Sequence, residues 1–238
     1  MGLTKFSLLK RRHGIRHDQF LAHWQSVHVN VLIHQGRHKH YNQSYLQNDF
    51  QPQHASDDLS FDGAAQMVPK STQFVYKGFQ QDPLYAKFVR PDEDLFLAPE
   101  KCVVLYCLSE DLGNLPSGAD ACKLFCLVRR SAEIQANAFL AEWETRAKNL
   151  LDQAASNGLR GLRTHQVLPG AATNMGSGSE LGQAFDAVEE LFFIDGESRR
   201  ALLQNPQFLQ SFHQHGAMPV NAGSLVFVTQ EHLVYAEA

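Results

Sequence analysis

Polar and apolar residues alternate over residues 4–10, with Phe6 and Leu8 on one face and Ser7 and Leu9 on the other, the period of two expected of a half-buried strand. His13-Gly14 makes a turn, and from about His17 the period becomes helical. At 100° per residue Phe20, Trp24, Val27 and Val31 form one stripe, flanked by Leu21, His28 and Leu32, so this helix lies on a sheet. Gly36 is the expected stop. Residues 45–48 read as a second strand, residues 49–60 as a polar loop of the length often associated with sites, and residues 64–68 as a third strand. A short helix over residues 82–89, an acidic turn at Pro91-Asp92-Glu93-Asp94 and a fourth strand over residues 101–108 complete the order βαββαβ.

The same order returns. Residues 109–121, with Gly113, Pro116 and Gly118, read as a connection. A strand at 122–128 follows, then a helix at 135–154 with Phe139, Trp143, Leu150 and Leu151 on its stripe, and a strand at 164–168. A Gly- and Ser-rich loop at 170–182, a strand at 187–194, a helix at 198–212 that continues or kinks at Pro206, and a strand at 224–229 finish the chain. The residues themselves repeat at an offset of about 118: Phe20-Leu21-Ala22-His23-Trp24 returns as Phe139-Leu140-Ala141-Glu142-Trp143, and Lys5 and Arg11-Arg12 return as Lys123 and Arg129-Arg130. Both tryptophans of the chain fall in this match. The reading is a tandem duplication, with units at 1–112 and 122–238 and a linker at 113–121. A βαββαβ unit carries two helices on one face of a four-stranded antiparallel sheet and leaves the other face bare. The expected fold class is therefore α+β: two ferredoxin-like units whose sheets pack face to face as a pseudo-dimeric barrel, in a monomer that could form a further homodimer.

Composition narrows the classes of function. Apolar residues make up 44% of the chain and charged residues 19%, enough to build a core, while a net charge of −4 and a pI near 6.3 argue against a general grip on nucleic acid. No apolar run approaches the length of a membrane span, and no leader pattern opens the chain, so a cytoplasmic location without membrane association is expected. Four cysteines at 102, 107, 122 and 126 show no Cys-x-x-Cys spacing and read as reduced thiols.

His28 is the candidate acid/base. It lies about 80° round the helix from Phe20 and should point between helix and sheet, where an imidazole can move a proton near neutral pH. The bland alternative is a core histidine bonded to backbone. Tyr45, Asn48, Asp62 and Gln66 are its expected neighbours by strand order, and Trp24 is a core residue or a ligand platform. His34, His38 and His40, with His213 and His215, raise a metal site, but no ligand set accompanies them and solvated turn histidines are the better reading. No tightly bound metal or cofactor is expected. Gly176-Ser177-Gly178-Ser179 lacks the Lys of a phosphate-binding loop.

The first half resembles the EthD family, named for a protein linked to ethyl tert-butyl ether degradation. The resemblance rests on Lys10-Arg11-Arg12 with Gly14, on Phe20-x-x-x-Trp24-x-x-x-His28 and on Tyr45-x-Gln47-Asn48. Phe61-Asp62-Gly63 and Asp92-Glu93-x-x-Phe96 complete it. The second half departs from it: Ala147 stands where His28 does and Val167 where Asn48 does, although Asp186 keeps the Asp62 position and Glu190 stands against Gln66. The resemblance implies the dimeric α+β barrel fold and small, often aromatic or polyketide-like ligands. Relatives in that wider group are monooxygenases, dehydratases, isomerases and haem enzymes, so the fold alone does not choose a reaction. The expected activity is an oxidoreductase or lyase acting on a small apolar or aromatic compound in a first-half pocket near His28, the equivalent second-half space being apolar and closed. The alternative is a binding or carrier protein without turnover.

Overall fold

The computed structural model describes residues 2–52, 60–73, 78–115, 122–152, 158–181, 184–206, 208 and 224–237. Eight strands run in chain order as β1 (Gly2–Leu9), β2 (Asn42–Phe50), β3 (Gly63–Pro69), β4 (Val103–Gly113), β5 (Cys122–Val128), β6 (Leu159–Asn174), β7 (Ala187–Phe193) and β8 (Leu225–Ala236). Among the described residues the α-helices are α1 (His17–Ala22), α2 (His38–Tyr41), α3 (Arg90–Phe96), α4 (Ala136–Asp152) and α5 (Gly196–Gln204). The strands hydrogen-bond in the order β1-β3-β2-β8-β5-β7-β6-β4 and close into one barrel.

This overturns the expectation of two ferredoxin-like sheets packed face to face. The physical reason is strand length. The sequence reading ends three strands at residues 108, 168 and 229, where turn residues or loss of alternation suggest a stop, but β4, β6 and β8 run on to Gly113, Asn174 and Ala236. A four-stranded sheet would leave two edges with unpaired backbone groups, and closure removes them. The first five residues of what reads as a linker at 109–121, and the first five of what reads as a loop at 170–182, are thus strand; residues 116–121 lie outside the described residues.

The chain divides into two compact units, one of Leu3–Tyr106, Gly170–Leu181 and Glu231–Ala238, the other of Met1–Gly2, Cys107–Pro169 and Gly182–Gln230. In the first, Lys5, Ser7 and Leu9 of β1 pair with Met67, Ala65 and Gly63 of β3. Tyr45 and Gln47 of β2 pair with Met67 and Ala65. Because strand side chains alternate, these residues share one face, covered by Phe20, Trp24, Leu32, Val89 and Phe96. Glycine permits the closest approaches: a Cβ on Gly63 would meet Trp24 Cζ3 at 2.6 Å, and one on Gly36 would meet Val89 Cγ2 at 2.7 Å. The positive φ expected of the stop at Gly36 is carried by Arg37, at 56°.

In the second unit β5 pairs with β7 and β8, and Leu124, Cys126 and Val128 lie in a core with Phe139, Trp143 and Ala147 of α4. One local device recurs in both units. The Asp62 amide donates to Leu9 O while Asp62 receives the Arg11 amide and guanidinium; the Asp186 amide donates to Val128 O while Asp186 receives the Arg130 amide and Nε. No helix among the described residues is long and apolar enough to cross a membrane.

Candidate active site

The first helix begins at α1 and then widens into π-helical turns at His23–His28 and Val31–Gln35. Ser26 Oγ donates to Ala22 O, and Asn30 Nδ2 donates to Ser26 O at 3.0 Å, side-chain bonds that intrude on the regular backbone ladder. The wider turns shift the buried stripe to Phe20, Trp24, His28 and Leu32, four residues apart, and leave Val27 48% exposed. His28 is thereby carried fully inward.

Inside, His28 Nδ1 lies 2.6 Å from Asp92 Oδ2, and His23 Nε2 lies 2.9 Å from Asp92 Oδ1. Asp92 sits in the first turn of α3, which the sequence reading leaves as an acidic turn. That helix continues directly from a π-helical turn at Tyr85–Val89, and Pro91 follows the junction. Burial lowers the pKa of His28, against the opposing pull of Asp92, so its ring is neutral near pH 7. The Asp92 carboxylate, held by two imidazoles, is lowered although burial opposes it. A carboxylate on Nδ1 selects the Nδ1–H tautomer, which leaves Nε2 with its lone pair. Among the described residues Nε2 has no protein hydrogen-bond partner.

His28 borders a cavity of about 40 Å³, walled also by Lys5, Ser7, Trp24, His38, Tyr45 and Glu93, with exposed Gln80 and half-buried Met175 at its edge. Tyr45 Oη accepts from Trp24 Nε1 and Gln47 Nε2, each at 3.0 Å, and burial raises its pKa. Glu93 Oε2 accepts from Tyr85 Oη at 2.5 Å, and burial raises that carboxyl to about 7. His38 is 1% exposed, bonded through Nδ1 to Tyr235 Oη at 2.7 Å and through Nε2 to Asn42 Nδ2 at 3.1 Å, and burial lowers it to about 3. The expectation of a solvated turn histidine therefore fails at His38, which is a wall of the cavity; His213 and His215 lie outside the described residues.

Of the residues singled out from sequence, His28, Trp24 and Tyr45 meet at this cavity. Asn48 and Gln66 do not join them: Asn48 Nδ2 donates to Gln66 Oε1 at 3.1 Å and to Ala64 O at 3.2 Å. Asn48 is three positions from Tyr45 on one strand, so the two point to opposite faces, and Gln66 faces away from Met67 for the same reason. Asp62 closes the end of β1 beside Arg11, Lys10 and His17. Lys5, Ser7, His38, Asp92 and Glu93 escaped the sequence reading. Strand parity with Tyr45 could have found the first two, and Asp92-Glu93 stands in the family motif. Among the described residues no three His, Cys, Asp or Glu side chains converge as a metal site.

A closed eight-stranded barrel with α-helices defines the fold, and the cavity lies under its first helix. Solved structures share the fold: an anthrone oxidase-like protein (TM-score 0.64, 12% identity, covering 99% of this chain and 96% of that one) and a proposed monooxygenase from Lactobacillus acidophilus NCFM (TM-score 0.51, 11% identity, 99% and 97%). A proposed monooxygenase from Fusobacterium nucleatum subsp. nucleatum is similar at TM-score 0.50 and 8% identity, covering 99% and 93%. Residues 12–100, the segment that holds His28 and Asp92, match the family model of the EthD domain. No curated protein matches the sequence.

Proposed function

We propose that the cavity is the active site of an oxidation-related enzyme in which His28 Nε2 removes a proton from a small apolar or aromatic substrate, with Asp92 fixing the ring and no tightly bound cofactor. The observation that carries this reading is the 2.6 Å bond between His28 Nδ1 and Asp92, which leaves the opposite ring nitrogen at a cavity wall without a hydrogen-bond partner among the described residues. A positioned base of this kind contributes roughly 10²- to 10⁴-fold to rate. A cavity of about 40 Å³ is smaller than the roughly 150 Å³ that accommodates benzene, so an aromatic substrate enters by displacing edge residues such as Gln80 and Met175. The reading also takes the chain as a tandem duplication whose first unit kept the site; the paired Asp62–Arg11 and Asp186–Arg130 arrangements support that.

The test uses anthrone and dioxygen, because an anthrone oxidase-like protein has this fold. Loss of a methylene proton to His28 gives the enolate; dioxygen then oxidises that carbon to a ketone, one dioxygen yielding anthraquinone and one water. Dioxygen uptake should fall at least 100-fold in His28→Ala. Saturable binding without uptake would replace the enzyme reading with a carrier, and uptake unchanged in His28→Ala would remove His28 from the chemistry.

A further inference from the structure

We propose that Lys5 is an anion-binding residue of this same cavity, so that the ligand is a small, largely apolar carboxylate whose charged head seats beside Lys5. The proposal rests on the reading of the cavity as a ligand site. Three Lys or Arg residues are buried among the described residues: Lys5, Lys123 and Arg146. Lys123 Nζ lies 2.6 Å from Glu190 Oε1, and Arg146 Nη1 lies 2.6 Å from Glu189 Oε2. Lys5, 8% exposed and lining the cavity, makes no ion pair among the described residues; its Nζ lies 5.8 Å from the Tyr106 ring centroid. A buried cation outside any ion pair is costly. The other charged group of the wall, Glu93, is raised to about 7 by burial although the Tyr85 hydrogen bond and the charges of Arg90 and Lys5 lower it, so it answers Lys5 only in part.

The second unit carries no cation at the corresponding position. The structural register replaces the sequence match of Lys5 with Lys123: counting back from the strand-end carbonyls that accept the Asp62 and Asp186 amides, Leu9 and Val128, Lys5 corresponds to Leu124 and Ser7 to Cys126, both apolar core. Counting on from the two aspartates, Ala65 corresponds to Glu189, whose carboxylate answers Arg146 from within. In the first unit the small Ala65 leaves that space open. About 40 Å³ is room for a carboxylate head, with the apolar remainder running past Met175 and Gln80.

The experiment compares benzoate with benzyl alcohol, an uncharged analogue of similar shape, by calorimetric titration of the full chain. The wild type should bind benzoate at least ten-fold more tightly than benzyl alcohol. Lys5→Met should abolish that preference, keep benzyl alcohol binding and melt no lower than wild type, since it removes an uncompensated buried charge; Lys5→Arg should retain the preference. Equal binding of the two probes by wild type, or an unchanged preference in Lys5→Met, overturns the proposal. His28→Ala separates the two readings. If it loses turnover while Lys5→Met keeps the preference for benzoate, the base stands and the anion site falls.

Discussion

His28 and His38 are both buried imidazoles, yet their partners give them different roles. His38 has both ring nitrogens engaged and is a structural wall, whereas His28 has one nitrogen on Asp92 and the other facing the cavity. Asp92→Asn should therefore reduce turnover by about 10-fold or more with little change in affinity, because an amide can hold the ring in the wrong tautomer; a pre-steady-state assay of the proton-transfer step checks this. Stability should follow pH with a definite sign. The folded pKa of His38 is depressed to about 3, so its contribution is complete above the ordinary value of about 6.5 and is lost as pH falls toward 3. Urea unfolding should lose about 1.4 kcal/mol per pH unit from this group over that window, and His38→Gln should flatten the slope. His17, raised to about 9 chiefly by its hydrogen bonds to Asp49 and Asp62, acts oppositely: its stabilisation is present below about 6.5 and is lost as pH rises through 9.

At the scale of elements, the first helix shows what periodicity can and cannot reveal. A strict 3.6-residue repeat puts Val27 on the buried stripe, but the π-helical turns bury His28 and Leu32 instead. Leu32→Ala should cost about 2 to 5 kcal/mol, and Val27→Ala should stay within about 0.5 kcal/mol; thermal melts of the two variants check the assignment. Strand cores were legible because alternation is strong there: β5 and β3 lie where the pattern puts them. Strand ends were not, since the extensions of β4, β6 and β8 carry polar residues and are specified by their neighbours' backbone groups rather than by local pattern. The site was half legible for the same reason. His28, Trp24 and Tyr45 follow from one helix face and one strand face, whereas Asp92 comes from a distant segment whose Pro and acidic residues read as a turn although the chain there is helical.

Across the whole molecule, the first compact unit draws on residues 170–181 and 231–238 as well as on the segment 12–100 that matches the EthD model. Met175 reaches the edge of the cavity, and Tyr235 holds the cavity-wall histidine, His38. A fragment of residues 1–112 lacks both. Expressed alone, it should fail to unfold cooperatively as a monomer; a soluble, cooperatively unfolding monomer in sedimentation and melting experiments would contradict this, and a homodimer would support the duplication. The central claim is that His28 is a neutral base with its Nε2 open to the ligand cavity. Nitrogen-15 NMR of the labelled histidines, with His28 assigned from the His28→Ala spectrum, tests it most directly. The expected spectrum shows the Nδ1–H tautomer at pH 7, titration below about 6.5, and an Nε2 resonance that moves when benzoate is added. An imidazolium at pH 7, or an Nε2 signal indifferent to benzoate, would contradict the claim.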